Sequence, residues 1–290
     1  MTAIYKREFK AFFRNMTGFI YIALFLIVMA FLSNVINFSN RVPNFEYVMF
    51  YMRIGLIVMI PILTMRSFSE EKKQKTDQLL FSLPVSTSKI VLGKYLSTLT
   101  VFAVPVVISC AYPLILSKYD ASGAISYGAS YGTILAFLLL GASLIAVGIF
   151  MSSLTENQII AAVLSFAYII IDFLISFKIL TLPSSSTASF IGIVVLIAIM
   201  SLIIFALTKN STIGWMVFII LDIPLAIVRF IKPDLLEGGL TKVLDNISLF
   251  DKLYDFATGV FNVNSIVYFL TITGLFLFFT VQSLEKRRWS

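Results

Sequence analysis

The chain has 290 residues, 59% of them apolar and 13% charged, with a mean hydropathy of +0.97 and a formal net charge of +7. A soluble domain carries about 25% charged residues, and one this apolar would expose patches that aggregate, so a soluble globular protein is excluded. The basic residues lie in short loops and at the ends, not in a stripe interleaved with aromatics, which excludes nucleic acid and fits a lipid bilayer.

There is no histidine, and the one cysteine, Cys110, sits inside an apolar run. Ser-His-Asp, Cys-His and His-metal chemistry are excluded together, and Cys110 reads as a small buried hydrophobe. The sequence offers no catalytic, cofactor-binding or metal site.

The first element is AIYKREFKAFFRN, Ala3–Asn15. Ile4, Tyr5, Phe9, Phe12 and Phe13 recur at helical spacing, and Lys6, Arg7, Lys10 and Arg14 fill the rest of the surface. This predicts an amphipathic helix over residues 1–16, lying on an anionic membrane face. A signal peptide is the competing reading, but the apolar run that follows is long for one and FLSNVINFS is a poor cleavage site.

A span needs about 20 apolar residues. Eight stretches qualify: Thr17–Ile36, Tyr47–Met65, Ile90–Leu116, Tyr131–Ser152, Gln158–Phe177, Ala188–Leu207, Ile213–Ile231 and Val263–Ser283. Strand alternation is absent, so the expected fold class is an all-α polytopic membrane bundle. Gly128 with Gly132, and the small stripe Gly141, Ala142, Ala146 and Gly148, predict close helix contact around the fourth span. Residues 232–262 form the longest loop on the other side, where Leu240, Val243, Leu244, Ile247, Phe250, Leu253 and Tyr254 predict one short amphipathic helix. It is read as a cap on the bundle or, alternatively, as a gate to an exit.

With both ends on one side, fourteen lysines and arginines fall on that side and seven on the other. The positive-inside rule then places both termini in the cytoplasm. The ionisable residues within spans are Arg53, Asp172 and Asp222. Such residues face a partner or water, because a mid-span charge costs roughly 2.5–3.5 kcal/mol on insertion scales. They are read as structural contacts between helices or, alternatively, as the lining of a conduit.

The densest charge lies between the second and third spans, in MRSFSEEKKQKTDQLLFSLPVSTSKIVLGK, Met65–Lys94. It holds six basic and three acidic residues and must lie in water or at the interface. Its apolar positions Phe68, Thr76, Leu79, Leu80 and Leu83, with the stem of Lys72, predict an amphipathic helix of about four turns over Phe68–Leu83. Ser67 and Glu70 fit a capping-box start, Pro84 ends the helix, and Ser86, Thr87 and Ser88 offer N-caps for the next. A solvated surface helix of no special role is the plain reading; a rigid element joining two spans also suits the transmission of movement.

TMRSFSEEKKQKTDQLLFSLPVSTSKIVLGKYLS resembles the cytoplasmic segment of type-2 ABC exporter permeases, in particular the gliding-motility-type (GldF-like) subfamily. The likeness runs through Met65-Arg66, Phe68, Glu70-Glu71, Thr76, Leu79-Leu80, Leu83-Pro84 and Ile90-Val91-Leu92-Gly93-Lys94. AIYKREFKAFFRNMTGFIYIALF resembles the family's N-terminal arm and first span, SSLTENQIIA its fourth-to-fifth turn, and the stretch ending in LEKRRW its last span and tail. Shorter relatives have six spans, so Ala188–Leu207 and Ile213–Ile231 look like an inserted hairpin.

The resemblance implies a permease subunit without enzymatic activity. No GxxxxGK[ST] loop is present, so ATP and magnesium would be handled by a separate ATPase subunit. A second permease copy or a paralogue would complete the complex in the cytoplasmic membrane of a prokaryote. Residues 66–89 would be the coupling segment, with Phe68, Glu70, Glu71, Lys72, Thr76, Leu79, Leu80 and Leu83 as the contacts to the ATPase. Two other readings stand beside the exporter. One is a membrane anchor or scaffold doing mechanical or signalling work without solute transport. The other is a stand-alone ion-coupled carrier using Asp172 or Asp222.

Overall fold

The computed structural model describes residues 1–40, 42–76, 85–119, 125–177, 185–208, 211–232 and 236–289. Among them every extended regular element is a helix. In chain order these are α1 (Thr2–Arg14), α2 (Thr17–Ser33, continued by a π-helical turn, Asn34–Ser39), α3 (Phe45–Thr64), α4 (Ser69–Lys73), α5 (Thr87–Ser109), α6 (Ala111–Tyr119) and α7 (Tyr127–Leu154). They continue with α8 (Gln158–Ser176), α9 (Ser186–Thr208), α10 (Ser211–Ile231), α11 (Gly239–Ile247), α12 (Lys252–Ala257) and α13 (Val263–Trp289). In hydrocarbon each backbone N–H and C=O must be paired within the protein, and helices meet that need locally.

Among the described residues, six helical stretches are long and apolar enough to cross a bilayer: Thr17–Ser39, Phe45–Lys73, Thr87–Lys118, Tyr127–Leu154, Gln158–Ser176 and Val263–Arg287. The chain is therefore a multi-pass membrane protein. Eight spans are expected from the sequence, and only six qualify here. The expected hairpin is occupied by α9 and α10, where the described apolar stretch Ser186–Ala198 is shorter than a span.

The helices fall into two compact units, Met1–Ile171 with Leu249–Ser290, and Asp172–Ser248. In the first, α7 packs against α3, α5, α12 and α13. Its small residues allow the approach. A Cβ on Gly141 would lie 2.2 Å from Phe102 Cζ of α5, and one on Gly148 would lie 2.2 Å from Thr64 Oγ1 of α3. The other expected pair is different: a Cβ on Gly128 would meet nothing within 4 Å, and one on Gly132 would reach only Phe256 at 3.9 Å. Phe25, Phe102 and Phe137 form a fully buried aromatic cluster with centroids 6.0–6.3 Å apart. Ser143 Oγ donates to the Phe269 carbonyl of α13 at 2.9 Å.

Local breaks have identifiable causes. Met16 takes a left-handed conformation, φ +59°, where α1 turns into α2. The break at Cys110 between α5 and α6 precedes Pro113, whose ring opposes the carbonyl four residues earlier. Asn37, in the π turn, accepts from Ser33 Oγ and donates to the carbonyls of Val42 and Asn44, so it folds the connection into α3.

In the second unit α9 packs on α10 and α11. Gly192 admits Leu240, whose Cδ2 would lie 2.4 Å from an added Cβ. Arg229 donates to Ser186 Oγ at 2.6 Å and to Thr187 Oγ1 at 2.9 Å, tying the end of α10 to the start of α9. The single helix expected within 232–262 is two helices, α11 and α12, one in each unit. The chain between them is drawn inward at Leu249 and Phe250, both fully buried.

Candidate functional site

The charged segment after α3 folds against the end of the first unit that carries α1, the start of α5 and the end of α7. Its helix, α4, has five residues, not the four turns that periodicity predicts. The reason is Lys75, which adopts a left-handed conformation with φ +55°. Thr76 N–H then donates to the Glu71 carbonyl at 3.0 Å and Lys75 N–H to the Lys72 carbonyl at 3.1 Å. This is a Schellman stop with lysine in the place glycine usually takes. Thr76 Oγ1 adds a bond to the Glu71 carbonyl at 3.3 Å.

The start of α4 also departs from expectation. Ser67 and Glu70 do not form a capping box; the N-cap residue is Phe68, without a side-chain cap of its own. The amides of Phe68 and Ser69 instead donate to Ser152 Oγ of α7, at 3.0 and 3.1 Å. Lys72 reaches the Ser153 carbonyl in the last turn of α7. Phe68 and Lys72 are thereby buried against the bundle.

On another side of α4, four charges meet. Glu71 Oε1 lies 2.9 Å from Lys94 Nζ and 3.0 Å from Arg7 Nη2. Glu8 Oε1 lies 2.6 Å from Arg7 Nη2 and 3.5 Å from Lys94 Nζ. Lys94 is only 2% exposed. Its remaining contacts are the Ser67 carbonyl at 2.7 Å and the face of the Phe68 ring at 5.0 Å. Two acids and two bases balance, so the ammonium is buried with partners, as a buried charge requires. Partial burial pulls the Arg7 guanidinium down, but Glu8 and Glu71 outweigh it and leave its pKa raised.

The same cluster holds α1 to the bundle. Tyr5 OH donates to Thr100 Oγ1 of α5 at 3.1 Å. Gly93 is bare because α1 crosses it: a Cβ there would lie 3.0 Å from Ile4 Cγ2 and 3.4 Å from the Met1 carbonyl. A cleft lined by Glu8, Asn15, Arg66, Ser67, Glu70 and Lys94 opens alongside. Nearby, Arg287 of α13 pairs with Glu156 in the turn after α7 at 2.9 Å.

The structure thus brings Phe68, Glu70, Glu71, Lys72 and Thr76 together on or beside α4. Glu70 is half-buried and its carboxylate is 3.5 Å from Gln74 Nε2. Leu79, Leu80 and Leu83 lie outside the described residues, as does the Pro84 stop. The intramembrane candidates lie elsewhere. Arg53 is in α3 of the first unit, buried, donating to the Phe250 carbonyl at 3.2 Å with its guanidinium 3.8 Å above the Phe50 ring. Asp172 and Asp222 are in the second unit. Asp172 is buried, and its carbonyl accepts from Ser248 Oγ at 3.5 Å. Asp222 is half-buried, and its carboxylate oxygens have no hydrogen-bond partner among the described residues. No group of histidine, cysteine and acid side chains suited to a metal occurs among the described residues.

Sequence reasoning misses five residues here. Arg7, Glu8 and Lys94 complete the charge cluster; all three belong to motifs quoted above, but nothing in their spacing shows that they meet. Ser152 caps α4 from within the SSLTEN stretch. Glu46 belongs to no predicted site: it is buried, accepting from Ser130 Oγ at 2.8 Å and Asn44 Nδ2 at 2.5 Å.

Compared with known families, residues 4–154 match the model of the ABC-2 family transporter proteins. That span runs from α1 to the end of α7 and includes the charge cluster and Ser152. No curated protein and no solved structure matches the chain. The match covers more than half of the sequence, and the chain therefore belongs to the ABC-2 transporter family, as a membrane permease component.

Proposed function

We propose that the chain is the permease subunit of an ATP-binding-cassette exporter of the gliding-motility type, moving substrate across the cytoplasmic membrane of a prokaryote. ATP is hydrolysed on a separate ATPase subunit, and a second permease, identical or paralogous, completes the pathway. The fourteen-to-seven bias of basic residues supports cytoplasmic termini. Helices α9 and α10 supply two further spans as a hairpin, giving eight and leaving both ends on one side.

The observation that carries the coupling role is the contrast between the body of α4 and its C-terminal end. Phe68, Glu71 and Lys72 fix the helix to α1, α5 and α7, while Lys73 at its last position and Gln74 and Lys75 just beyond it are exposed. A short helix gripped by three others and bare at its end suits an element that receives force. The ATPase contact is then made by Lys73, Gln74 and Lys75, with Arg66 and Glu70 beside them, and by the apolar side chains of Leu79, Leu80 and Leu83. Glu71, Phe68 and Lys72 hold the element in place.

The test is co-purification of the full chain with its ATPase. The double substitution Lys73→Glu/Lys75→Glu, and separately Leu79→Asp, should release the ATPase while leaving the thermal unfolding of the permease unchanged. Retained ATPase in both variants overturns the assignment. Nucleotide-driven uptake into inverted vesicles separates an exporter from a scaffold.

A further inference from the structure

Helix α4 is too short to satisfy itself. Five residues make little more than one turn, and a helix leaves its first four N–H and last four C=O groups without internal partners. The Schellman bonds meet the need at its end. At its start the need is met by another helix. Ser152 Oγ accepts from Phe68 N–H and Ser69 N–H and donates to the Met65 carbonyl at 3.1 Å. A hydroxyl offers one donor and two acceptor sites, so this one segment saturates Ser152. Beside it the Lys72 ammonium meets the Ser153 carbonyl, one of the unpaired carbonyls closing α7. A cation is favoured there by the helix dipole. Ser69, Ser152 and Ser153 are all fully buried, so water does not compete for these bonds.

Beyond this junction α7 is braced. Gly148, one turn before Ser152, is in contact with Thr64 at the end of α3, and Ser143 is bonded to the Phe269 carbonyl of α13. A displacement of α4 therefore meets a long helix that abuts α3 and α13.

We propose that Ser152 is a positioning residue that joins the coupling helix to α7, so that a stroke on α4 enters the bundle through α7 as well as along the chain into α3 and α5. This rests on the coupling role proposed above. It adds a non-covalent route, with Ser152 as its joint and Lys72 as its second fastening. Tightly packed elements pass on such movements as discrete shifts, not by gradual bending.

The experiment has three arms on the full chain. In the first, residue-resolved hydrogen exchange is measured on the permease alone. Ser152→Ala should speed exchange of the Phe68 and Ser69 amides by about five-fold, the loss typical of a removed N-cap. Ser165→Ala is the control, since Ser165 is equally buried but among the described residues bonds only its own turn, through the Ala161 carbonyl; it should leave those amides unchanged. Equal exchange in Ser152→Ala and wild type overturns the joint, whatever the partner does. In the second, the permease–ATPase complex is assembled with each variant. Ser152→Ala should keep co-purification but lose most of the permease-dependent change in ATP hydrolysis, and Ser152→Thr, which keeps the hydroxyl, should restore it. Retained ATPase with undiminished coupling overturns the inference and leaves the coupling role standing, whereas failure of the wild-type chain to hold any ATPase overturns both. In the third, exchange of the Phe68 and Ser69 amides is compared between nucleotide-free and vanadate-trapped wild-type complexes. Their protection should persist through trapping. Loss of that protection in the trapped complex shows α4 parting from Ser152 and overturns the inference without recourse to Ser152→Ala.

Discussion

The Glu71 carboxylate and the Lys94 ammonium are paired at 2.9 Å, and they join α4 to α5 across the segment that separates the second apolar helix from the third. Lys94 is 2% exposed, while Glu71 and Glu8 keep 18% and 19% of their side-chain surface. Loss of the lysine leaves two partly buried carboxylates to share the half-exposed Arg7. Loss of Glu71 leaves the lysine with Glu8 and the Ser67 carbonyl. Lys94→Met should therefore cost more than Glu71→Gln. About 1–3 kcal/mol is expected for the lysine, below the range for fully buried pairs because water still reaches the acids. In the double variant the losses should not add, with a coupling of about 1–2 kcal/mol. Thermal unfolding of the four proteins in detergent measures this, and strict additivity contradicts the pairing.

The Arg7 side of the cluster should respond to salt and not to pH near neutrality. Arg7 is 55% exposed, so its attraction to Glu8 and Glu71 is open to screening. At about 1 M salt the Debye length falls to about 3 Å. The pKa of Arg7 is raised on folding. A raised cation contributes its stability fully below the unfolded pKa and loses it only as pH climbs through the folded value, and for a guanidinium both lie far above neutrality. Hydrogen exchange in α1, corrected for intrinsic rates, should therefore quicken at high salt and stay flat from pH 6 to pH 8 (about the range where arginine cannot titrate). A response to pH with none to salt goes against this assignment.

Two glycines of α7 should answer oppositely to the same substitution. An alanine Cβ at Gly148 would lie 2.2 Å from Thr64 Oγ1 and 2.8 Å from Thr64 Cβ. Threonine is stiff at χ1, and its hydroxyl is already bonded to the Ile60 carbonyl at 2.9 Å, so it cannot swing aside. Gly148→Ala should destabilise by about 1–3 kcal/mol, and Thr64→Ala in the same chain should restore part of the loss, since it removes the hydroxyl and methyl but keeps the Cβ at 2.8 Å. At Gly128 nothing lies within 4 Å. Gly128→Ala should be neutral or stabilise by up to about 1 kcal/mol through helix propensity. The midpoints of thermal unfolding decide both.

These contrasts show which features the sequence carries. Hydropathy places the long helices within a few residues because burial in lipid demands about 20 apolar positions whatever the packing. The small stripe around Gly141 and Gly148 is also legible, since close approach needs the absence of a Cβ. Gly128 and Gly132 share the spacing without the contact, because spacing does not reveal what lies opposite. Helix α4 is misread because Phe68 to Leu83 keeps helical periodicity while Lys75 leaves helical geometry, and no propensity favours a left-handed lysine. Glu71 reads as an outward charge because its partners Arg7 and Lys94 are remote in sequence. Ser152 carries no signal at all. A serine at the end of an apolar helix is ordinary until the short helix whose amides it caps is seen beside it.

Glu46 and Arg53 provide a last test, of whether charges within α3 serve packing or passage. They lie two turns apart and both are buried. Glu46 spends its two oxygens on Ser130 and Asn44, and Arg53 is held by the Phe250 carbonyl and the Phe50 ring. Glu46→Ala leaves the fully buried Ser130 hydroxyl without this acceptor and should cost about 1–3 kcal/mol. Glu46→Gln, which can still accept from Ser130 once the Asn44 amide turns over, should cost less. Arg53→Met removes a charge-assisted hydrogen bond and a cation–π contact, about 2–3 kcal/mol together. Arg53→Lys should recover part of this, since lysine keeps the charge but not the planar fork. If these residues serve packing, thermal stability falls in this order and any transport defect tracks the amount of folded protein. Arg53→Lys with wild-type stability and altered transport would instead place the guanidinium on the substrate's route.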